Sequence, residues 1–292
     1  MPSTFKPLKT LSSWRRIALH TWRNPGDPTV YATLEIDATR AMPYLQRVRT
    51  EHGEHATMTH LVAKALALAI RSYPRSNGII ARRRIYLRDT VDIFIQVASH
   101  GGEELSGTKV ERADEKTIAE IAHEVTERAA RIRAGRDRDI EQTKRLVNTM
   151  PNFLLGRVLR LIEWLIYDVG LDLSRFGVVR DGFGSAMVSN VGMFGLSFGL
   201  APLVPLSRVP IIVLVGEVQD RPWVVDGRVT VRPVVILGCT FDHRLIDGAQ
   251  GGKMAALLRS VVEDPERHLE GAPLRSTEAV PIAPDSLTAA RG

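Results

Sequence analysis

The stretch "CTFDHRLIDGAQGGKM" places His243 four residues before Asp247, with Gly248 next, where a long apolar run ends. An imidazole exchanges its proton near neutral pH and suits a general base. A carboxylate four residues on can hold the backbone or a neighbouring arginine, and glycine lets the chain turn sharply. The same residues equally fit a histidine that caps a helix or satisfies a turn, and the spacing alone favours that plainer use.

Other segments offer rival chemistry. "GLSFG", Gly195 to Gly199, matches the G-x-S-x-G nucleophile elbow, and Asp220 or Asp226 followed by His243 has the chain order of an α/β-hydrolase. An elbow must join a strand to a helix, however, and the prolines of "LAPLVPLSRVP" forbid a helix there. "GAQGGKM" lacks P-loop spacing and has no Ser or Thr after Lys253. "EHGEHATMTH" brings His52, His55 and His60 together without a carboxylate at metalloprotease spacing, so a solvated loop is expected and no metal site.

The elements around His243 follow from periodicity. "VVILGCTF" reads as a buried strand, and Met254, Leu257, Leu258, Val261 and Val262 keep helical spacing from Ala249 onward, so His243 belongs to a strand-to-helix turn. Upstream, "YATLEIDATRAM" alternates as a half-exposed strand, and "TMTHLVAKALALAIRSYP" is a helix stopped by Pro74. "IYLRDTVDIFIQVAS" has the content of two strands joined by a polar turn. The "RRR" at Arg82 to Arg84 reads as a solvated loop between strands. "DEKTIAEIAHEVTERAARIRAGR" is an amphipathic helix with Ile118, Ile121, Ala122, Val125 and Ala129 on one face. Asp226 and Gly227 make a tight hairpin turn. Strands and helices mix without strict alternation, which predicts a single α/β domain on a mixed sheet. The polar, proline-bearing chain after Pro265 is expected to be disordered.

Composition narrows the classes. One cysteine, Cys239, excludes an internal disulfide and a thiolate zinc site, and suits a reducing cytoplasm. No stretch reaches the roughly 20 apolar residues of a membrane span, and no signal core opens the chain. The net charge of +6 comes from scattered arginines with few aromatics, which points away from nucleic acid and toward a small anionic cofactor.

"FDHRLIDGAQGGKMAALLRSVVEDPE", "MVSNVGMFG" and "HLVAKALALAIRSYPRSNGII" together resemble the catalytic domain of the dihydrolipoamide acyltransferases of 2-oxo acid dehydrogenase complexes, over about residues 10 to 270. The resemblance implies a chloramphenicol-acetyltransferase-like α/β fold, a homotrimer with active sites between subunits, and CoA or acyl-CoA as substrate with a thiol, lipoyl or other small acceptor. It makes His243 the base that deprotonates the attacking thiol or hydroxyl, and Ser189 the hydrogen-bond donor to the tetrahedral oxyanion. Asp247 becomes structural. In chloramphenicol-acetylating relatives the matching aspartate pairs with an arginine near the N-terminus, and the alignment points to Arg15, with Arg16 the second candidate.

The pattern breaks in three places. The chain opens on the catalytic domain, so no lipoyl attachment site is expected in it. "GGEELSGTKV" puts Glu103 and Glu104 where the family has an apolar strand beside the substrate channel. Residues 138–180 form a helical insertion; "NFLLGRVLRLIEWLIYDVG" carries Trp164 and two arginines as an interfacial membrane helix does, but with only a thin polar edge at Arg157, Arg160 and Glu163 it is expected to pack on the protein over a subunit face. The domain is thus assigned to residues 1–270, with 271–292 a disordered tail and an isolated trimer the expected assembly. The competing reading is a catalytically idle scaffold subunit of a dehydrogenase complex.

Overall fold

The computed structural model describes residues 27–81, 84–99, 104–134, 151–171, 181–204 and 207–270. β-Branched residues dominate β7 (Ile211–Val215) and are frequent in β1 (Thr29–Asp37), β4 (Ile93–Ser99) and β9 (Arg228–Asp242), which with β5 (Glu104–Val110), β6 (Ala186–Asn190) and β8 (Gln219–Val225) build one mixed sheet. Its order is β1-β9-β7-β6-β4-β5, with β8 on the first half of β9. β4, β6 and β7 run parallel, while β9 is antiparallel to β1, β7 and β8. Asp226 and Gly227, at φ 50 and 76, close the β8–β9 hairpin as the Asp-Gly pair predicts. β2 (Gly78–Ala81) and β3 (Arg84–Leu87) form a separate hairpin, so Arg84 opens a strand, while Arg82 and Arg83 lie outside the described residues.

Helices α1 (Ala41–His52), α2 (Met58–Ser72), α3 (Ile118–Arg133) and α5 (Gly248–Glu263) cover one face of the sheet. Thr117 and Glu120 close a reciprocal capping box at the start of α3. α2 is buried nearly all round, its alanines letting neighbours approach closely. For His60 this bears out the helical reading of "TMTHLVAKALALAIRSYP" over the loop reading of "EHGEHATMTH". His60 is the third residue of α2, 6 % exposed, and its Nδ1 accepts a hydrogen bond from the Thr57 backbone N–H at 3.1 Å, where a capping box usually places Glu or Gln.

Burial, helped by the neighbouring charges of His55 and Arg49, pushes the His60 pKa from 6.5 down to about 4. As pH falls from 6.5 toward 4, the unfolded chain takes up a proton that the folded chain refuses, and stability is lost. The loss should reach about 3 kcal/mol below pH 4. His60→Gln keeps the acceptor and removes the titration, so urea unfolding of this variant should show a flatter slope than wild type over that range; parallel slopes would refute the assignment.

The altered "GGEELSGTKV" segment still makes a strand. β5 pairs with β4 from Ile93↔Val110 to Ser99↔Glu104 at the sheet edge, where charge discourages unwanted pairing. Glu103 lies outside the described residues. Chain order also continues past Pro265: the short helix α6 (Pro265–Leu269) is tied back by a 2.7 Å bond between His268 and Ser260 and by the ion pairs of Arg47 with Glu266 and Glu270. Residues 271–292 are outside the described set.

The inserted segment is helical at α4 (Asn152–Glu163), which widens into a π-turn at Trp164–Val169. Arg208 of the main body fixes it, and Arg88 holds the chain just past its end. Arg208 donates from Nε to Glu163 (2.9 Å), from Nη2 to Asp168 (3.0 Å) and from Nη1 to the Ile80 carbonyl (2.9 Å), with its guanidinium 4.7 Å from the centre of the Tyr167 ring. Arg88 grips Asp181 bidentately at 2.6 and 2.8 Å and reaches the Gly78 carbonyl at 2.7 Å. Glu163 therefore faces inward, whereas Leu161 and Trp164 face outward, 52 % and 53 % exposed. Of the polar edge, Glu163 turns inward because the body supplies a partly buried cationic partner for it, while Arg157 and Arg160 stay exposed.

Candidate active site

β9 ends at Asp242, and the turn that follows is fastened from several sides. The Asp242 carboxylate is buried and accepts from the Arg244 guanidinium at 2.6 and 2.9 Å and from the Arg244 backbone N–H at 2.9 Å. Its carbonyl accepts from the N–H groups of Leu245 and Ile246. Ile246, 2 % exposed, pins the turn to the core, and the His243 N–H donates to the Pro28 carbonyl at 2.9 Å. His243 is left exposed on a rigid support. Asp247 caps α5, accepting from the Gln250 N–H at 2.7 Å. Arg15, its expected ion-pair partner, and Arg16 lie outside the described residues.

Two clefts flank this turn. One, of about 500 Å³, is bordered by Asp27, Asp242, Arg244, Leu245, Arg208 and the insertion's Glu163. The other, of about 390 Å³, is bordered by Asp247, Gln250, Tyr73, Arg75 and Lys253. Arg75 and Lys253 are exposed and bring two positive charges to it, chemistry that suits an anionic ligand.

Ser189 belongs to β6 and is half-buried. Among the described residues its hydroxyl makes no hydrogen bond, so the reading of a serine satisfied within its own strand finds no support. The turn after it explains "SNVGMFG". Asn190 accepts from the Met193 N–H at 3.1 Å, Gly192 lies so close to Glu217 that a Cβ would fall 2.5 Å from its nitrogen, and Gly195 adopts φ 76. The chain then runs flat over the open sheet face, where Cβ atoms on Gly216 and Gly238 would meet the carbonyls of Ser197 and Gly199 at 1.9 and 1.7 Å. Ser197 is thus in irregular chain that continues without a helix through residues 198–204, and the strand-to-helix join of a hydrolase elbow is not made there. Asp226 is a hairpin-turn residue.

The structure does not bring His243 and Ser189 together within one chain. Ser189 pairs with Leu214 on β7, and Leu214 with Gly238 on β9, five residues before His243. At about 3.3 Å per residue and 4.8 Å per strand, their Cα atoms lie roughly 19 Å apart. Side chains cannot bridge that span. Beside Ser189, residues 191–204 expose Met193, Phe194, Leu196, Phe198 and Leu200, a contiguous apolar run of chain.

Other candidates drop out on geometry. No three His, Cys, Asp or Glu side chains among the described residues converge to hold a metal ion. Cys239 is half-buried and its thiol is pushed up to about 12 by desolvation, which removes it as a nucleophile. Sequence reasoning missed Asp242, Arg244, Arg88 and Arg208, whose partners lie across turns or far along the chain.

The sequence pattern of the 2-oxoacid dehydrogenases acyltransferase (catalytic domain) family matches residues 18–147 and 181–270, leaving the segment that contains α4 unmatched. The dihydrolipoyllysine-residue acetyltransferase component of the pyruvate dehydrogenase complex from Zymomonas mobilis is 25 % identical over 264 residues, 87 % of this chain and 49 % of that protein. This chain thus spans about half the length of that relative. Among solved structures, a probable dihydrolipoamide acetyltransferase from Listeria monocytogenes has a TM-score of 0.62 at 23 % identity, covering 93 % of this chain and 99 % of that one. The dihydrolipoamide acetyltransferase of Azotobacter vinelandii gives 0.61 at 18 % identity, covering 82 % and 84 %. These two likenesses establish the mixed-sheet fold, and the pattern match, which takes in about three quarters of the 292 residues, shows that the chain belongs to the 2-oxoacid dehydrogenases acyltransferase (catalytic domain) family.

Proposed function

We propose that this protein is an acyltransferase that moves an acyl group between a CoA thioester and a thiol or other small acceptor, at a site shared by neighbouring copies of the chain. His243 of one copy takes the proton from the acceptor. The freed sulfur or oxygen attacks the thioester carbonyl carbon, Ser189 of the adjoining copy donates a hydrogen bond to the resulting oxyanion, and the imidazolium returns its proton to the CoA sulfur as the C–S bond breaks. A free thiol with a pKa near 8.5 is only a few per cent ionised at neutral pH, so a positioned base accelerates the attack.

The separation of roughly 19 Å between the exposed imidazole and the unbonded serine carries this reading. Each chain offers half of a site at either end of its sheet, and the apolar chain beside Ser189 supplies surface for a neighbour to cover. Asp247, as helix cap, holds the His243 turn, and Arg15 is its proposed partner. Arg75 and Lys253 fit the phosphates of CoA. The Azotobacter relative was studied for the catalytic roles of a serine, a histidine and an asparagine four residues after that histidine, the spacing of His243 and Asp247. The idle-scaffold reading is weaker, since β5 is kept and Ser189 is left unbonded.

By light scattering the protein should have a mass of about 97 kDa, three chains of 32.4 kDa. That species should release CoA from acyl-CoA in the presence of dihydrolipoamide or a simple thiol, followed with a thiol reagent. A fully active monomer would refute the shared site, and trimers inert toward a panel of acyl-CoAs and acceptors would favour the scaffold.

A further inference from the structure

The insertion presents to solvent the side chains that a helix normally hides. Leu154, Leu161 and Trp164 are exposed along α4, and the acidic residues at its end are not, because Glu163 and Asp168 turn inward to Arg208. Arg157 and Arg160 are exposed on the same helix. The β2–β3 hairpin shares this end of the molecule: Arg208 joins Ile80 to Glu163, and Ile85 lies opposite Ile80 in the hairpin register. It exposes Ile85 and Leu87 beside the exposed Arg84. Among the described residues, the exposed carboxylate of Asp89, just past β3, is outnumbered by Arg84 and Arg160.

We infer that α4 and the β2–β3 hairpin form a docking surface for an anionic lipid bilayer. Leucines and a tryptophan flanked by arginines can bury their apolar parts at the headgroup boundary while the guanidiniums meet phosphate and the indole keeps its N–H in the polar layer. Among the described residues no helix is long and apolar enough to cross a membrane, so the contact is with one leaflet's surface. Turning both acidic residues of the helix end toward Arg208 matters as much as the exposed tryptophan, because it removes the carboxylates that an anionic surface would repel. The segment that carries α4 is the part of the chain that the family pattern leaves unmatched, whereas the hairpin belongs to the matched residues 18–147, so the surface joins an added helix to the family's shared body.

The test is co-sedimentation of the full chain with vesicles of phosphatidylcholine alone and of phosphatidylcholine with phosphatidylglycerol. The wild-type protein should pellet with the anionic vesicles only and be released by raised salt. Arg160→Gln should weaken binding roughly fivefold, the share of one arginine near an anionic surface. Trp164→Glu should abolish it while circular dichroism and thiol release from acyl-CoA stay at wild-type levels. A wild-type protein that remains in solution with the anionic vesicles, or variants that bind as wild type does, would overturn the inference. So would a fall in light-scattering mass on Trp164→Glu, which would make the face a contact between copies of the chain.

Discussion

His243→Ala is expected to lower acyl transfer by about two to four orders of magnitude, the usual contribution of a positioned general base. The fold should survive. The imidazole is exposed, while the features that shape its turn belong to other groups: the backbone bond to Pro28, the Asp242–Arg244 pairing and the buried Ile246. A thermal melt and a light-scattering mass like those of wild type would therefore accompany the loss. A folded His243→Ala protein with wild-type turnover would remove the histidine from the mechanism.

Ser189→Ala should cost about two to three orders of magnitude in kcat with little change in KM, because a donor to the oxyanion acts mainly in the transition state. Its hydroxyl is unbonded among the described residues, so its removal leaves no orphaned partner and stability should scarcely change. The two variants together test the geometry. Trimers reassembled from a mixture of His243→Ala and Ser189→Ala chains contain some sites that combine an intact histidine from one chain with an intact serine from another. Activity should reappear on mixing, far above either parent. Within a single chain the two defects could never complement, so mixed trimers no more active than their parents would refute a site built across copies.

The parts of the fold that depend on local periodicity and turn chemistry were legible in the sequence. Asp226 and Gly227 specify the β8–β9 hairpin, Thr117 and Glu120 mark the start of α3, and the spacing from Met254 to Val262 places the helix after His243. Order was harder to read than periodicity. Whether Ser189 meets His243 depends on β7 standing between β6 and β9 and on the register of all three, which no local pattern encodes. Partners distant in sequence were equally hidden. Glu163 was legible only as part of a thin polar edge, because its cation, Arg208, is 45 residues away in the chain. His60 looked like part of a histidine-rich loop because the layer that buries it comes from elsewhere in the fold.

The distance between the two halves of the site also changes how damage and dilution are counted. In the proposed shared site each chain would lend its histidine to one site and its serine to another, so a single lesion would silence one site of a trimer and a chain with both lesions would silence two. In a mixed population, a minority of doubly defective chains would depress output more than their numbers suggest. Output per chain would also collapse on dilution past the point where copies part, since a solitary chain holds two unusable halves. Catalysis in such a protein is a reading of its own assembly, and a newly made chain stays chemically silent until it finds its neighbours.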